Sequence, residues 1–295
     1  MSANLSVGVI GLGAMGMGMA QSLRRAGHQV HVFDVRSEVA QKFAAEGGFA
    51  CGSLADIAAA SDVLVSVVVN AAQTESVLFG DGAANSGCIQ HLKPGSVFVM
   101  CSTVDPAFSV RLEKTLNDKG LHYIDAPISG GAAKAASGQM TMMTAGTPAA
   151  YEKAEVFLNA MAAKVYKLGD SAGAGSKVKV INQLLAGVHI AAAAEAMALG
   201  LREGVDPEAL YGNSWMFENR MAHVLAADYT PLSAVDIFVK DLGLVLDMAR
   251  ASKFPLPLSS TAHQMFMQAS TAGFAKEDDS AVIKIFPGIE LPKAK

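Results

Sequence analysis

The feature that most constrains this chain is a glycine-rich turn close to its N-terminus. The turn reads Gly11-x-Gly13-x-x-Gly16 and follows an apolar run, Val7–Ile10, that predicts a buried strand. Apolar residues then recur at helical spacing from Met19 onward. In such a turn the first glycine permits a tight bend, the second lets the backbone approach a pyrophosphate, and the third lets the helix pack on the strand. The segment therefore predicts a dinucleotide-binding strand, turn and helix.

An acidic residue at a suitable distance supports this interpretation. A second apolar run, Gln29–Phe33, predicts a strand, and Asp34 follows it, 18 positions after Gly16. A carboxylate there can accept hydrogen bonds from both hydroxyls of an adenine ribose and would repel a 2′-phosphate, so NAD is the expected cofactor. Arg36 could instead turn toward such a phosphate, and a glycine-rich turn without a ligand is the structural alternative. The candidate cofactor-binding residues here are Gly11, Leu12, Gly13, Ala14, Met15, Gly16 and Asp34.

Composition narrows the class of protein. The chain has 295 residues, enough for one large domain or two ordinary ones, and with 51% hydrophobic and 17% charged residues a sizeable core is expected. A net charge of −4 without a long basic run argues against a nucleic-acid partner. Three cysteines without metal-ligand spacing fit a reducing compartment, so we expect a cytoplasmic protein without a metal site. The apolar run Leu184–Leu201 carries His189 and Glu195, which favours a packed helix over a membrane span.

The first part of the chain alternates between strand and helix patterns. Further strands are predicted at Val63–Val69, Val97–Met100, Leu121–Ile124, Met140–Thr144 and Val165–Leu168. The run at Val63–Val69 is continuously apolar and rich in β-branched residues, which is typical of a parallel strand covered on both faces. This alternation predicts an α/β fold, with a doubly wound Rossmann sheet that binds NAD over residues 1–169.

The pattern changes after Gly169, beyond which strand patterns are almost absent. Gly173–Ser176 starts a predicted helix that can run to Glu203. Shorter helices are predicted at Trp215–Ala226, Asp236–Ser252 and Ser259–Ala272. Residues 170–295 are therefore predicted to form an all-helical domain for substrate binding and oligomerisation, with the long helix joining the two domains. Small residues along that helix allow close packing, in the same domain or in a homodimer or homotetramer.

Three further motifs follow the glycine-rich turn. They are Asp125-Ala126-Pro127-Ile128-Ser129-Gly130-Gly131, then Gly173-Ala174-Gly175 leading to Lys179 and Asn182, then Lys240-Asp241-Leu242. In this order the four motifs resemble the β-hydroxyacid dehydrogenase family, the relatives of 3-hydroxyisobutyrate dehydrogenase, and the likeness covers nearly the whole chain. The resemblance implies an NAD-dependent oxidation of a small hydroxy acid.

Within the family, three stretches resemble the members that act on L-threonate. They are Gly212–Arg220, Ser233–Asp241 and Lys276–Lys284. The chain departs from the family in two places: Gln183 stands where Asn is usual, and those members have a longer helix between Tyr211 and Gly212. The likeness implies L-threonate, oxidised at C2, as the substrate.

The reaction needs a base that accepts the hydroxyl proton of the substrate. A lysine can serve, because a partly buried amine can have its pKa lowered toward neutrality. Lys179 lies three residues before Asn182, so their side chains can meet on one helix face, whereas Lys177 shares its face with apolar residues. The resemblance independently gives Lys179 the catalytic role. A solvated surface lysine is the alternative.

The remaining candidates surround the reacting groups. Ser129, Gly130 and Gly131 predict a loop whose N–H groups and hydroxyl bind the substrate carboxylate, with an ordinary β-turn as the alternative. By resemblance, Thr103 contacts the nicotinamide end of the cofactor. Lys240 lies there too, unless it is a surface charge.

Asn182 and Lys240 complete the implied set of substrate-binding residues. Asn213, Trp215 and Phe217 could line the outer pocket, although the last two also suit a hydrophobic core.

Other activities remain open at this point. 3-Hydroxyisobutyrate dehydrogenase and tartronate semialdehyde reductase are close alternatives, because the position of the alcohol that reacts depends on the shape of the pocket. An imine reductase shares the implied architecture but usually lacks a lysine at the position of Lys179. A nucleotide-binding module without turnover is the most distant alternative.

Overall fold

The computed structural model describes residues 5–82, 86–202, 204–210 and 215–293 of the chain. It divides into two compact units, residues 1–179 and 180–295. The boundary between them falls inside the longest helix, after Lys179. These units are defined by packing and not by ligand binding. The predicted division into a cofactor-binding domain, residues 1–169, and a substrate-binding domain, residues 170–295, therefore stays a prediction.

The described part of the first unit contains one mixed sheet of nine strands. The strands are β1 Val7–Ile10, β2 Val30–Phe33, β3 Phe49–Ala50, β4 Val63–Ser66, β5 Val97–Met100, β6 His122–Asp125, β7 Ile128–Ser129, β8 Met140–Gly146 and β9 Ala162–Lys167. Six of them pair in parallel in the order β3-β2-β1-β4-β5-β6. β8 is antiparallel to β6 and β7, and β9 pairs with β8 in parallel. The Rossmann prediction is confirmed, whereas the direction of β8 could not be predicted from its residues.

The apolar runs of the central strands are explained by burial on both faces. In β4, Val63 and Val65 join the core on one face of the sheet, and Leu64 joins the core on the other. β5 repeats the division, with Val97 and Val99 opposite Phe98. Successive side chains of a strand point to opposite faces, so a strand with two cores has no polar face to show in its sequence.

Seven helices of the first unit cover the sheet, within the described residues. They are α1 Gly16–Arg25, α2 Ser37–Ala45, α3 Leu54–Ala60, α4 Ala71–Phe79, α5 Pro106–Asn117, α6 Gly131–Ala136 and α7 Pro148–Met161. Ser53 caps α3 by accepting from Asp56 N, as its sequence predicts. Asp105 likewise caps α5 ahead of Pro106. Ser37 is the first helical residue of α2, and Arg36, which precedes it, makes no side-chain cap hydrogen bond.

The second unit is helical throughout its described residues. Its elements are α8 Ala174–Arg202, which begins in the first unit, α9 Pro207–Leu210, α10 Trp215–Ala226, α11 Val235–Ala251, α12 Pro257–Ala269, a π-helical turn Ser270–Phe274 and a 3-10 helix Asp279–Ile285. These helices share one apolar core that includes Phe238 and Phe266, whose rings stack. The predicted helical half is confirmed. The predicted difference between Tyr211 and Gly212 lies outside the described residues.

The apolar run Leu184–Leu201, which the sequence assigns to a packed helix, lies within α8. Over the residues that the structure describes, no helix is both long and apolar enough to span a bilayer.

Candidate active site

The glycine-rich turn between β1 and α1 has the backbone that its sequence predicts. Gly11 has φ +89°, and a Cβ on it would lie 2.5 Å from the Val67 carbonyl oxygen. A Cβ on Gly16 would lie 1.8 Å from the Gly11 oxygen. A Cβ on Gly13 would have no atom within 4 Å. The first and third glycines are therefore required by packing, whereas the second faces open space, the arrangement that a pyrophosphate needs.

The N-terminus of α1 is also suited to an anion. Met15 precedes the helix and makes no side-chain cap hydrogen bond. The first N–H groups of a helix lack intrahelical acceptors and carry the positive end of its dipole, so a phosphate can bind them. Gly13 and this helix end thus fit a bound dinucleotide.

Asp34 follows β2 at the same edge of the sheet. One carboxylate oxygen accepts from Leu12 N at 2.7 Å, and the other accepts from Arg36 N at 2.9 Å and from Arg36 Nε at 3.1 Å. Burial by itself would raise the pKa of this carboxyl, but the hydrogen bonds from Arg36 and Leu12 outweigh it and keep the pKa below its ordinary value. Asp34 is therefore a firmly ionised acceptor, and its charge occupies the guanidinium that could otherwise bind a phosphate.

The carboxyl ends of the parallel strands gather several predicted residues. Gly11 follows β1, Asp34 follows β2, Thr103 lies just beyond β5, and β6 ends at Asp125. Strand order reverses direction at β1, which lies between β2 and β4. Open α/β sheets bind ligands at such a switch point, outside the carboxyl ends of their strands. The fold therefore brings the predicted cofactor residues of the first unit to one edge.

The stretch predicted as a carboxylate-binding loop is more ordered than its sequence suggests. Ser129 ends β7 and pairs with Thr141 of β8. Gly130 has φ +139°, and Gly131, the first residue of α6, has φ +72°. These conformations favour glycine, so the chain turns at once from strand to helix. Ser129 is half-buried, and the binding role of all three residues stays a prediction.

The two lysines near the start of α8 differ sharply in environment. Lys179 is 7% exposed and therefore buried, whereas Lys177 is exposed. Val178, next to both, is also exposed. Lys179 therefore points into the protein, and Lys177 points into solvent. A desolvated amine is the kind that can act as a base, so burial supports Lys179 as the candidate.

The sequence interpretation missed two residues that hold this helix. Asp125 and Ser176 are buried, and the Ser176 hydroxyl donates to the Asp125 carboxylate at 2.7 Å. An acid at the end of a strand is a detectable signal, but its partner lies 51 residues later in the chain. Nothing local in the sequence indicates that pairing.

Within the second unit, Lys240 belongs to a polar cluster with Asp241 and Gln183. Lys240 Nζ lies 2.5 Å from Asp241 Oδ1, and the Asp241 side chain is 1% exposed. The amide of Gln183, the residue that replaces the usual Asn, donates to the other oxygen of Asp241. Lys240 is therefore fixed by an ion pair rather than solvated as an isolated surface charge. Asn182 is exposed, and its role, like that of Lys240, stays a prediction.

The aromatic candidates for the outer pocket separate into two environments. Phe217 is buried in the core of the second unit, whereas Trp215 is 65% exposed. Asn213 lies outside the described residues. Among the residues described, no group of three or more His, Cys, Asp or Glu could hold a metal ion.

Comparisons with known proteins show the family to which this chain belongs. The model of the NAD binding domain of 6-phosphogluconate dehydrogenase matches residues 6–169, and that of the NAD-binding region of NADP-dependent 3-hydroxyisobutyrate dehydrogenase matches residues 173–286. The chain belongs to the 3-hydroxyisobutyrate dehydrogenase family. It is accordingly a nicotinamide-dependent dehydrogenase, and the glycine-rich turn and Asp34 are the parts of its first unit that fit the cofactor.

Individual members of the family match over nearly the full chain. An L-threonate dehydrogenase from Cupriavidus necator is 64% identical, covering 97% of this chain and 98% of that protein. One from Escherichia coli (strain K12) is 53% identical, covering 98% and 97%. A crystal structure of a 3-hydroxyisobutyrate dehydrogenase from Salmonella typhimurium is 52% identical and superimposes with a TM-score of 0.91, covering 96% and 100%.

Proposed function

We propose that the protein oxidises L-threonate at C2 to the corresponding 2-oxo acid, with NAD as cofactor and Lys179 as general base. The substrate rests on one observation: relatives named L-threonate dehydrogenase match at 64% and 53% identity over essentially the whole chain. The second candidate is 3-hydroxyisobutyrate, because that name is given to a structure at 52% identity.

NAD is favoured over NADP by the position of Asp34. Its carboxylate would accept from the ribose hydroxyls, and its hydrogen bonds with Arg36 hold that guanidinium away from a phosphate role. A 2′-phosphate would place like charges together, which destabilises the complex. The backbone around Gly13 would hold the pyrophosphate, and Thr103 and Lys240 would lie toward the nicotinamide. When bound, the cofactor supplies the hydride acceptor.

The proton is handled by the chain itself. Lys179, as a neutral amine, accepts the proton of the substrate hydroxyl, and in the reverse reaction its ammonium returns it. Ser129, Gly130 and Gly131 bind the substrate carboxylate through the serine hydroxyl and the N–H groups. Asn182 contacts the substrate near its reacting carbon. A desolvated lysine in this role needs no metal to activate the alcohol.

The direct test is the rate of NADH formation with a set of C3 and C4 hydroxy acids. The set contains L-threonate, its enantiomer, 3-hydroxyisobutyrate and glycerate, and tartronate semialdehyde is assayed in the reductive direction. We expect the highest kcat/KM with L-threonate and a 2-oxo acid as product. A higher kcat/KM with 3-hydroxyisobutyrate would replace the proposed substrate, and a 3-oxo product would contradict oxidation at C2.

We also propose that the chain assembles as a homodimer or homotetramer in the cytoplasm. The exposed side of α8 supports assembly, because Ile181 and Leu185 lie one turn apart and are 52% and 50% exposed. Buried apolar helix faces are common in subunit interfaces. Light scattering at assay concentrations measures the mass, and a monomeric mass would contradict the proposal.

A further inference from the structure

We propose that Asp125 is a positioning residue for the reaction: from the end of β6 it caps the N-terminus of α8 and thereby fixes the turn that carries Lys179. The inference rests on the proposed function, because it takes Lys179 as the base. It assigns a role to the motif Gly173–Ser176, which lies at the start of α8, just before Lys179.

The start of α8 lacks the cap that a helix of its length normally carries. Gly173 precedes the helix, and its carbonyl accepts the first intrahelical bond, from Lys177 N at 2.9 Å. Gly173 is therefore the N-cap residue, and it has no side chain that could accept from the first turn. A side-chain acceptor at this point normally stabilises the first turn of a helix.

Asp125 supplies that acceptor from a different element. One carboxylate oxygen accepts from Gly173 N and from Ser176 N, each at 2.9 Å, and the other accepts from the Ser176 hydroxyl at 2.7 Å. The Asp125 side chain is completely buried. Ionisation of this carboxyl would place a negative charge at the positive end of the helix dipole, a favourable interaction that opposes the cost of burying the charge. The first turn of α8 is thus attached to the sheet through Asp125.

The glycines of the motif allow this close approach. A Cβ on Gly175 would lie 2.4 Å from the Met143 carbonyl oxygen and 3.0 Å from the Asp125 carbonyl oxygen. Gly173 has φ +103°, in the region that favours glycine. Just before the motif, Ala172 N donates to Glu113 of α5 at 3.1 Å. The residues at the start of α8 are therefore closely packed against β6 and β8 and are hydrogen-bonded to α5.

Helix geometry links the anchor to the base. Lys179 lies three residues after Ser176, so the two side chains share one helix face, about 4.5 Å apart along the axis at 1.5 Å per residue. Ser176 is 1% exposed and Lys179 is 7% exposed, whereas Lys177 between them is exposed. The face that Asp125 holds against the sheet is the face that presents Lys179. Release of the first turn would let the lysine move.

The test compares Asp125→Ala and Asp125→Asn, each alone and combined with Lys179→Ala. A misplacement of about 1 Å can cost on the order of 10²-fold in rate, so we expect Asp125→Ala to lower kcat about 10- to 100-fold. The Kd for NAD, measured by calorimetry, should not change, because the glycine-rich turn is untouched. Asp125→Asn should retain kcat within about threefold, since Asn caps a helix as well as Asp does. In the Lys179→Ala background, Asp125→Ala should lower kcat no further.

A matched pair of serine variants keeps the test valid if Asp125→Ala does not fold. Ser176 Oγ and Ser280 Oγ each donate to a buried Asp at 2.7 Å, Asp125 and Asp278 respectively. Asp278 caps the 3-10 helix of the second unit. Both alanine variants lose a buried hydrogen bond, so their Tm should fall by similar amounts. Only Ser176→Ala should lower kcat.

Each contrary result has a distinct meaning. Normal kcat in Lys179→Ala would remove Lys179 as the base of the proposed function. A loss in Lys179→Ala but none in Asp125→Ala or Ser176→Ala would overturn the positioning role alone. An equal loss in Asp125→Asn and Asp125→Ala, with a shifted pH profile, would show that the charge matters and the cap does not. A further loss in the double variant would show that Asp125 does not act through Lys179.

Discussion

Asp34 and Asp125 occupy comparable places in the first unit, and we propose different roles for them. Each lies at the carboxyl end of a parallel strand, β2 or β6, and each is buried. Each accepts backbone N–H groups from a glycine-containing segment, Leu12 in one case and Gly173 in the other. They differ in their remaining partners. Arg36 pairs with Asp34, whereas the Ser176 amide and hydroxyl bind Asp125.

The environments separate the two carboxyls electrostatically. The hydrogen bonds from the cation Arg36 outweigh desolvation and hold the pKa of Asp34 below its ordinary value. Around Asp125 desolvation dominates, and the neutral donors Ser176 and Gly173 only partly offset it, so its pKa is raised. A place at the carboxyl edge of the sheet therefore does not determine the electrostatic state of a carboxyl, because its hydrogen-bond partners decide it. We propose that Asp34 binds the cofactor and that Asp125 holds a helix.

The largest expected effect separates the Lys179 region from the cofactor region. Lys179→Ala should lower kcat by about 10²- to 10⁴-fold, the usual contribution of a positioned acid–base group. The Kd for NAD should stay unchanged, because Asp34 and the glycine-rich turn remain intact. Steady-state kinetics and calorimetry measure the two quantities. If NAD binding weakens as much as kcat falls, the two regions are not separate.

Two further lysine variants control this result. Lys179→Arg should not restore kcat, since a guanidinium stays protonated and cannot accept the proton. Lys177→Ala should keep wild-type kcat, because that side chain is exposed. Wild-type oxidation should rise with pH as the amine of Lys179 loses its proton. Loss of activity in Lys177→Ala with normal activity in Lys179→Ala would move the base two residues back.

The next effect tests Asp34 as the selector of the cofactor. In Asp34→Asn the ratio of NAD to NADP affinity should fall about 10- to 100-fold, because hydrogen bonds to charged groups contribute about 1.5–3 kcal/mol. Arg36 would also become available to the 2′-phosphate, so Asp34→Asn with Arg36→Ala should lose part of the gain in NADP binding. Asp125→Asn should leave the ratio unchanged. Equal or tighter binding of NADP by the wild type would contradict the assignment of Asp34.

A smaller effect is expected at the loop after β7. Ser129→Ala should raise the KM for the hydroxy acid about 10-fold, the loss of one hydrogen bond to a carboxylate, while the Kd for NAD holds. Gly130→Val is a less clean variant, because Gly130 has φ +139° and its Cβ would lie 2.9 Å from Lys134 Cβ. It should raise the same KM but also lower the Tm. Unchanged acid kinetics in both variants would exclude this loop from the substrate site.

The smallest effect is the dependence of stability on pH, and it should have opposite signs for the two carboxyls. A lowered pKa means that Asp34 stabilises the fold above its ordinary pKa of 3.8, and this stability is lost as pH falls through its folded-state value. A raised pKa means that ionisation of Asp125 costs stability as pH rises from 3.8 toward its folded-state value.

Urea unfolding of the wild type and of each Asn variant between pH 3 and pH 6 measures this difference. The stability advantage of wild type over Asp34→Asn should grow or hold as pH rises, and that over Asp125→Asn should shrink. Parallel pH dependences for the two variants would show that their environments do not differ as described.

Much of the first unit could be predicted from local patterns. Val63–Ser66 and Val97–Met100 are continuous apolar runs because two cores bury both faces of the sheet, and such runs are visible in a sequence. Asp105 and Pro106 predict the start of α5, because helix capping depends on residues that are adjacent in the chain. The glycine-rich turn is predictable for the same reason: Gly11 and Gly16 are required by contacts within a few residues of one another or with the neighbouring strand.

The tertiary structure decided which residues that are far apart in the chain become partners. The antiparallel direction of β8, the exposure that distinguishes Lys177 from Lys179, and the pairing of Gln183 with Asp241 all depend on which distant elements meet. Asp125 is the strongest case, because its role as a cap exists only when β6 lies against the start of α8. The sequence by itself determined the dinucleotide turn, the order of strands and helices, and the family. Local hydrogen bonds and the periodicity of burial depend on residues that are neighbours in the chain, so they can be predicted from the sequence. Contacts between distant segments form only when the chain has folded.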